Sequence, residues 1–368
     1  MGKVFVMSGK LFRYLGSLIL VIIVAVIASG TAQPITAPGV ITSPGVYELT
    51  ADARGITDMY GIRIEASDVV LDGQGHFIGG DQRDRSIGIY VNKFGGSITN
   101  VTIKNLKLED WNNGVSYQYV KGKEGDTNEI SNLDILDCPT GIHIEYSDVV
   151  SITDNLIRDC SKAINIEQTS SKVTVDKNIL KNNGIGVIIM KTSDVTMHDN
   201  TINTCDVYGV QVIDSSGFTI TRNGISDNKY AALQVENTVN SVITDNIFSL
   251  NTNGIRLYGN SFFTMADNIF EGHVSDNVAP LGAEYGSGIR VAQTSSSVAI
   301  VDTDSIFGRG LWNEADIGLP PNLTTFEAES LVQFTGEGTQ MLSPLLFGTA
   351  DYSNMATNFH GSPVLLDP

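Results

Sequence analysis

Cysteine, histidine and tryptophan are scarce in this chain: three, five and two among 368 residues. No two cysteines stand at CxxC spacing, which excludes a thiolate zinc site of the ordinary kind. Basic residues are also few, 23 against 41 acidic ones, for a formal net charge of −18. Outside the short run Lys121–Lys123 they form no cluster. Such a chain repels nucleic acid and anionic membranes, and a polyanionic sugar would meet the same field. Helical periodicity is missing as well: through the middle of the chain apolar residues never recur at i, i+3 and i+4. There is one long apolar run, Leu15 to Ala28, and none at the C-terminus.

That run is shorter than the roughly 20 residues a bilayer span needs. Lys3, Lys10 and Arg13 precede it, and Ala28, Ser29, Gly30, Thr31 and Ala32 follow. Residues 1–32 therefore read as a secretory signal peptide cut after Ala32, or as an uncleaved anchor. In both cases the rest lies outside the cytoplasm, and any membrane contact is through this segment alone.

What the chain does have is a repeat. From Gly141 to Phe270 one frame returns six times, marked by Asn155, Asn178, Asn200, Asn223, Asn246 and Asn268, at steps of 23, 22, 23, 23 and 22 residues. Gly141, Ala163, Gly186, Gly209, Ala232 and Gly254 open the passes. A fixed period of this length signals a solenoid. Within each pass apolar residues alternate, which is strand periodicity. One inward column reads Ile144, Ile166, Ile189, Val212, Val235 and Leu257; another reads Val150, Val173, Val195, Phe218, Ser241 and Phe263. About 22 residues at roughly 3.3 Å each make three short strands and three turns, and the LxxLxLxxN pattern of a leucine-rich repeat is absent. The expectation is an all-β, right-handed parallel β-helix of about ten coils. Residues 33–60 would cap it, 61–307 form it, and 308–368 make an irregular C-terminal cap.

The marker asparagines are expected to occupy left-handed corners and to bond amide to amide between coils. Before them stand Asp154, Lys177, Asp199, Arg222, Asp245 and Asp267. The first four alternate in sign, a stabilising ladder. Asp245 and Asp267 break it. Two carboxylates one coil apart make these two the candidate metal ligands, with Ca2+ as the fitting cation. Cys138 and Cys160 each precede an opening residue by three positions, so they are stacked neighbours; Asn182, Asn228 and Asn251 fill the equivalent places. Buried thiols are the plain expectation. A disulfide stays open outside the cell, although directly stacked positions seldom present its geometry. His76 lies in a turn-rich stretch and reads as a turn residue.

Three longer coils, opened by Gly61, Gly88 and Gly114, carry extra residues, the clearest bulge being Tyr117–Glu129. A second loop is expected over His273–Ser287. Asn100 and Asn322 begin glycosylation sequons.

The repeats, the PGVYELT stretch and the VVLDGQGHFIGG coil together resemble the secreted parallel β-helix proteins of archaea and bacteria, the NosD-like and CASH-domain group. The resemblance covers Gly45 to Phe307. It implies the fold; its shared residues are scaffold residues. A NosD-like role in copper-site maturation would ask for a cluster of His, Met or Cys that the sequence does not offer.

Two functional readings follow. The first is an exported, non-enzymatic surface protein serving display, envelope assembly or carbohydrate binding, whose partners are an extracellular glycan or neighbouring envelope proteins. The alternative is a polysaccharide lyase, hydrolase or epimerase. Asp302, Asp304 and Arg309 lie in a degenerate terminal coil, and GQGH at 73–76 is not the GHG pattern of the polygalacturonase-like hydrolases. No catalytic residue is therefore assigned. An aromatic strand face bordered by 117–129 would favour sugar binding, and two carboxylates with a basic residue would favour an enzyme.

Overall fold

The computed structural model describes residues 31–271 except Lys123, Glu124, Thr127 and Asn260, and beyond them only the strand backbones at 287–291, 298–301, 304–305, 309–313 and 333–334. Among the described residues there is no helix, and the strands pair in parallel throughout. Each coil crosses three faces. In the coil opened by Gly141 these are Thr140–Glu145 (first face), Asp148–Thr153 (second) and Leu156–Arg158 (third). The next coil repeats them as Lys162–Glu167, Ser171–Asp176 and Ile179–Lys181. Register holds residue for residue: Ile142 opposes Ile164, Val150 opposes Val173, and Ile157 opposes Leu180. The first faces stack into a sheet of 13 strands. The other two merge into a sheet of 20, because Val101–Glu109 and Asn128–Leu136 run across the corner unbroken. The coil is right-handed, as crossovers between parallel strands are. This is the expected β-helix.

The inward columns are its core. Ile144, Ile166, Ile189, Val212, Val235 and Leu257 are fully buried. Ser241, the polar break in the second column, is buried too, with its hydroxyl donating to the Val239 carbonyl at 3.0 Å. The openers are small because the next coil approaches closely: a Cβ on Gly141 would sit 2.6 Å from the Ala163 carbonyl oxygen.

The corners correct one expectation. The marker asparagines are not the left-handed residues; the residue before each of them is, with φ of 55° at Asp154, 52° at Lys177 and 56° at Asp199. That frees the asparagine side chain to point inward. Asn178 Nδ2 donates to Asn200 Oδ1 at 3.0 Å, Asn200 to Asn223 at 2.8 Å, and Asn223 to Asn246 at 3.0 Å. The ladder itself is as expected. A second ladder runs through the corner after the third face, where Cys160 N donates to Asn183 Oδ1 at 2.9 Å and Asn228 Nδ2 to Asn251 Oδ1 at 2.7 Å. Asn183, not Asn182, holds the place between Cys160 and Cys205; Asn182 is the left-handed residue before it.

All three cysteines are buried free thiols. The Cys160 thiol beside it, and then burial, push the Cys138 thiol far up, and burial pushes Cys205 up to about 12. Cys138 and Cys205 therefore stay protonated.

Residues 33–60 close the first coil as strands: Gln33–Ile35 pairs with Gly45–Leu49, which pairs with Val69–Asp72. The bulge expected at 117–129 is smaller. Tyr117 and Val120 are core residues, and the strand resumes at Asn128; of the residues between, Lys123, Glu124 and Thr127 lie outside the described residues. Past the boundary expected at 307, the first face continues with Arg309–Asn313 against Ser287–Val291. The rest of 308–368, apart from Gln333–Phe334, and the whole of 273–286 lie outside the described residues, as does the apolar run of 15–28.

Candidate functional site

Asp245 and Asp267 sit exposed at successive left-handed corners. Among the described residues no His, Cys, Asp or Glu joins them to make a group of three. The structure concentrates its unusual chemistry elsewhere, on the outward side of the first face.

Strand alternation sets that side. In Thr140–Glu145, Ile142 and Ile144 point inward and are fully buried, so His143 and Glu145 point outward. The register carries the His143 column through Tyr90, Ser116, Asn165, Ile188, Gln211 and Gln234. The Glu145 column continues through Gln118, Glu167, Met190, Ile213 and Glu236. An outward strand surface ordinarily carries exposed charged groups and threonines. Here Asn165 is 5% exposed, Ile188 6% and Gln234 3%.

Aromatic rings frame the column. Tyr60 and Tyr90 stack with centroids 5.0 Å apart, and Tyr119 and Tyr146 stack at the same distance. Toward the C-terminal coils Tyr208 and Tyr230 meet edge to face at 5.3 Å, and the Arg256 guanidinium lies 4.4 Å over Tyr230. Burial raises the pKa of Tyr90 and Tyr208, so both stay neutral phenols.

Between the rings runs a polar chain. The Tyr90 hydroxyl donates to Gln118 Oε1 at 2.5 Å, and Asn92 Nδ2 donates to the same oxygen at 2.9 Å. Gln118 Nε2 then donates to Glu145 Oε2 at 2.8 Å. Glu145 is the register partner of Glu167, whose Oε1 lies 2.8 Å from His143 Nε2. Two acceptors on this side are buried and receive no hydrogen bond: Asn165 Oδ1 and Gln234 Oε1. Each such group costs about 1–3 kcal/mol until a donor reaches it. Such a surface has π-faces for stacking and amides and carboxylates for hydroxyls.

These residues escaped the reading of inward columns and markers. The signal was present for the two outward columns, which lie two and four positions after the coil openers, where the repeat alignment gives Tyr, Ser, His, Asn and Gln instead of a charge ladder. The framing Tyr60, Tyr119, Tyr146, Tyr208 and Tyr230 stand at other positions.

One further group of three ligand-type side chains occurs among the described residues: Asp176, His198 and Asp199. Its carboxylates are already neutralised, Asp176 by Lys177 Nζ at 3.0 Å and Asp199 by Arg222 at 2.8 and 2.9 Å. Lys177, expected to answer the corner charges of neighbouring coils, turns instead to Asp176 in its own coil. Arg222 first and His198 second hold the Asp199 carboxyl down at about 2, from an ordinary 3.8. A depressed carboxylate stabilises the fold above its unfolded pKa and loses that contribution as pH falls from 3.8 toward 2. Arg222→Gln is therefore expected to move the Asp199 midpoint up toward 3.8 in an NMR carboxyl titration; an unmoved midpoint would refute the pairing.

A hollow of about 270 Å³ opens on the third face near Phe77, Lys107 and Arg158. Its contents are mutually engaged: the Arg54 guanidinium covers the Phe77 ring at 3.9 Å, and Arg158 meets Asp134 at 3.4 Å.

A copper centre would need soft or imidazole donors held together. His76, His143 and His198 lie in different coils, each against a carboxylate: Asp52 at 3.0 Å, Glu167 at 2.8 Å and Asp176 at 2.8 Å. The thiols are buried. The described residues do not fit a copper ion. His76 is the turn residue expected. Of the sequon asparagines, Asn100 is half-buried with Nδ2 donating to Asp68 Oδ1 at 2.8 Å, and Asn322 lies outside the described residues.

Solved β-helices align along most of the chain at low identity. The A-module of the mannuronan C-5 epimerase AlgE4 of Azotobacter vinelandii is 13% identical, with a TM-score of 0.49 over 86% of this chain and 95% of that one. DFA-IIIase from Arthrobacter chlorophenolicus A6, in complex with GF2, is 12% identical, with a TM-score of 0.46 over 85% and 89%. These are likenesses of fold. No curated protein matches the sequence. The family model described as periplasmic copper-binding protein (NosD) matches residues 94–283, more than half the chain and nearly all of its regular coils, and is in keeping with export. The chain belongs to the NosD family.

Proposed function

We propose that this is an exported scaffold, in the periplasm or at the cell surface, that binds a neutral glycan along the outward side of its first face. The observation that carries the reading is the pair of buried acceptors, Asn165 Oδ1 and Gln234 Oε1, set in a column flanked by tyrosine pairs. Sugar rings offer C–H faces to aromatic rings and hydroxyl donors to amide oxygens, so one glycan answers both features. A net charge of −18 favours an uncharged chain over a polyanion.

Calorimetric titration of the full chain with soluble β-1,4-glucan, β-1,4-mannan, β-1,3-glucan and alginate tests this. At least one neutral polysaccharide binds and alginate does not. Replacing both Tyr208 and Tyr230 by alanine weakens binding about tenfold, the equivalent of about 1.4 kcal/mol. Binding of alginate alone, or equal binding by the double variant, overturns the reading.

A further inference from the structure

We infer that Glu145, Glu167 and His143 form a hydrolytic centre that cleaves a glycosidic bond within the neutral glycan held on the first face. The inference rests on the binding reading above and adds chemistry to it. Glu145 and Glu167 occupy one outward column on adjacent paired strands, which stand about 4.8 Å apart. Parallel side chains on that spacing bring two carboxyl groups near the roughly 5–5.5 Å of a pair that retains anomeric configuration.

Their surroundings divide the labour. The Gln118 amide donates to Glu145 Oε2 at 2.8 Å and fixes its orientation. His143 Nε2 lies 2.8 Å from Glu167 Oε1 and positions that carboxyl group. Asn165 stands beside His143 in register and two residues before Glu167 on the same outward side. It is 5% exposed, and its Oδ1 receives no hydrogen bond. That buried acceptor is the independent sign of a ligand here, because a ring hydroxyl at the carboxylate pair would supply its donor.

The position along the solenoid suits cleavage inside a chain. Tyr90 lies two coil steps before His143, and Tyr208 three steps after the Thr140 position of the same coil. At about 4.8 Å per coil these are roughly 10 Å and 14 Å, so the aromatic platforms lie on both sides of the carboxylates.

In the first half-reaction Glu167, as the acid, gives its proton to the glycosidic oxygen as the C1–O bond breaks. Glu145 bonds to C1. In the second, water gives a proton to Glu167 and its oxygen to C1, releasing Glu145 and a hemiacetal. Water is the only co-reactant, and both carboxyl groups return to their starting states.

The test incubates the full chain, Glu145→Gln and Glu167→Gln with the β-1,4-glucan, β-1,4-mannan and β-1,3-glucan of the binding experiment, and follows new reducing ends. The expected result is release from a polysaccharide that binds, falling about a thousandfold in both variants, far more than their binding falls, while both stay folded. Azide then restores cleavage to Glu145→Ala, yielding a glycosyl azide, which a merely structural glutamate would not allow. Binding without release of reducing ends, or release undiminished in both variants, overturns the hydrolytic centre and leaves the binding reading standing. Absence of binding to every neutral polysaccharide overturns both.

Discussion

Asn200→Ala is expected to destabilise the fold by about 3 kcal/mol in urea unfolding, one of the largest effects of any single polar substitution in this chain. Asn200 is 1% exposed and fully engaged. Its Oδ1 accepts from the Asn178 backbone N–H at 2.9 Å and from Asn178 Nδ2 at 3.0 Å. Its Nδ2 lies 2.8 Å from the Val175 carbonyl and 2.8 Å from Asn223 Oδ1. Alanine leaves the buried Asn178 N–H without its acceptor and removes the side-chain donor from the Val175 carbonyl and from Asn223 Oδ1, which keeps only the Asn200 backbone N–H at 3.0 Å. A buried group left unsatisfied costs about 1–3 kcal/mol. The midpoint falls for the central coils together, because stacked repeats are stable through their interfaces. A loss below about 1 kcal/mol would show that the ladder is ornament and that the aliphatic columns alone set the register.

Trp111→Ala is expected to cost about 4 kcal/mol, through the cavity it leaves. Trp111 is fully buried, and its indole Nε1 donates to the Ile78 carbonyl at 3.1 Å. Glycines make its seat: a Cβ on Gly80 would fall 2.9 Å from the ring, and one on Gly61 or Gly88 3.1 Å from it. The first long coils thus trade three side chains for one indole. Trp111→Phe keeps most of the volume and gives up the hydrogen bond, so it should cost about 1–2 kcal/mol. Near-equal midpoints for the alanine variant and the parent would mean that the N-terminal coils repack around the void, contrary to a seat of rigid backbone.

The fold was legible because its period is physical: inward columns such as Ile144 to Leu257 must stack, and stacking demands equal coil lengths. The ladders were half legible. Asn155 to Asn268 could be seen to repeat, but which residue took the left-handed conformation depends on corner geometry that composition does not reveal, and Asp, Lys and Arg took it. Tyr117 looked like loop because it lies in a polar stretch; inside, its hydroxyl reaches the Val101 carbonyl at 2.9 Å, which lets a phenol be core. The site was the least legible part. His143, Asn165 and Gln234 fall at one repeat position as an imidazole and two amides with Ile188 among them, and only the parallel register shows that they form one outward column. Asp245 and Asp267 drew notice by being alike, whereas the first face is distinctive by being varied.

The central claim is that a neutral glycan lies on the outward side of the first face, and methyl NMR of the full chain tests it directly. Ile188, Met190 and Ile213 lie on that side, while Ile179 and Ile247 are 47% exposed on the third face. Titration with the neutral polysaccharide that binds is predicted to shift Ile188, Met190 and Ile213 and to leave Ile179 and Ile247 in place. Shifts confined to Ile179 and Ile247, or none at Ile188 under saturating glycan, would contradict the account.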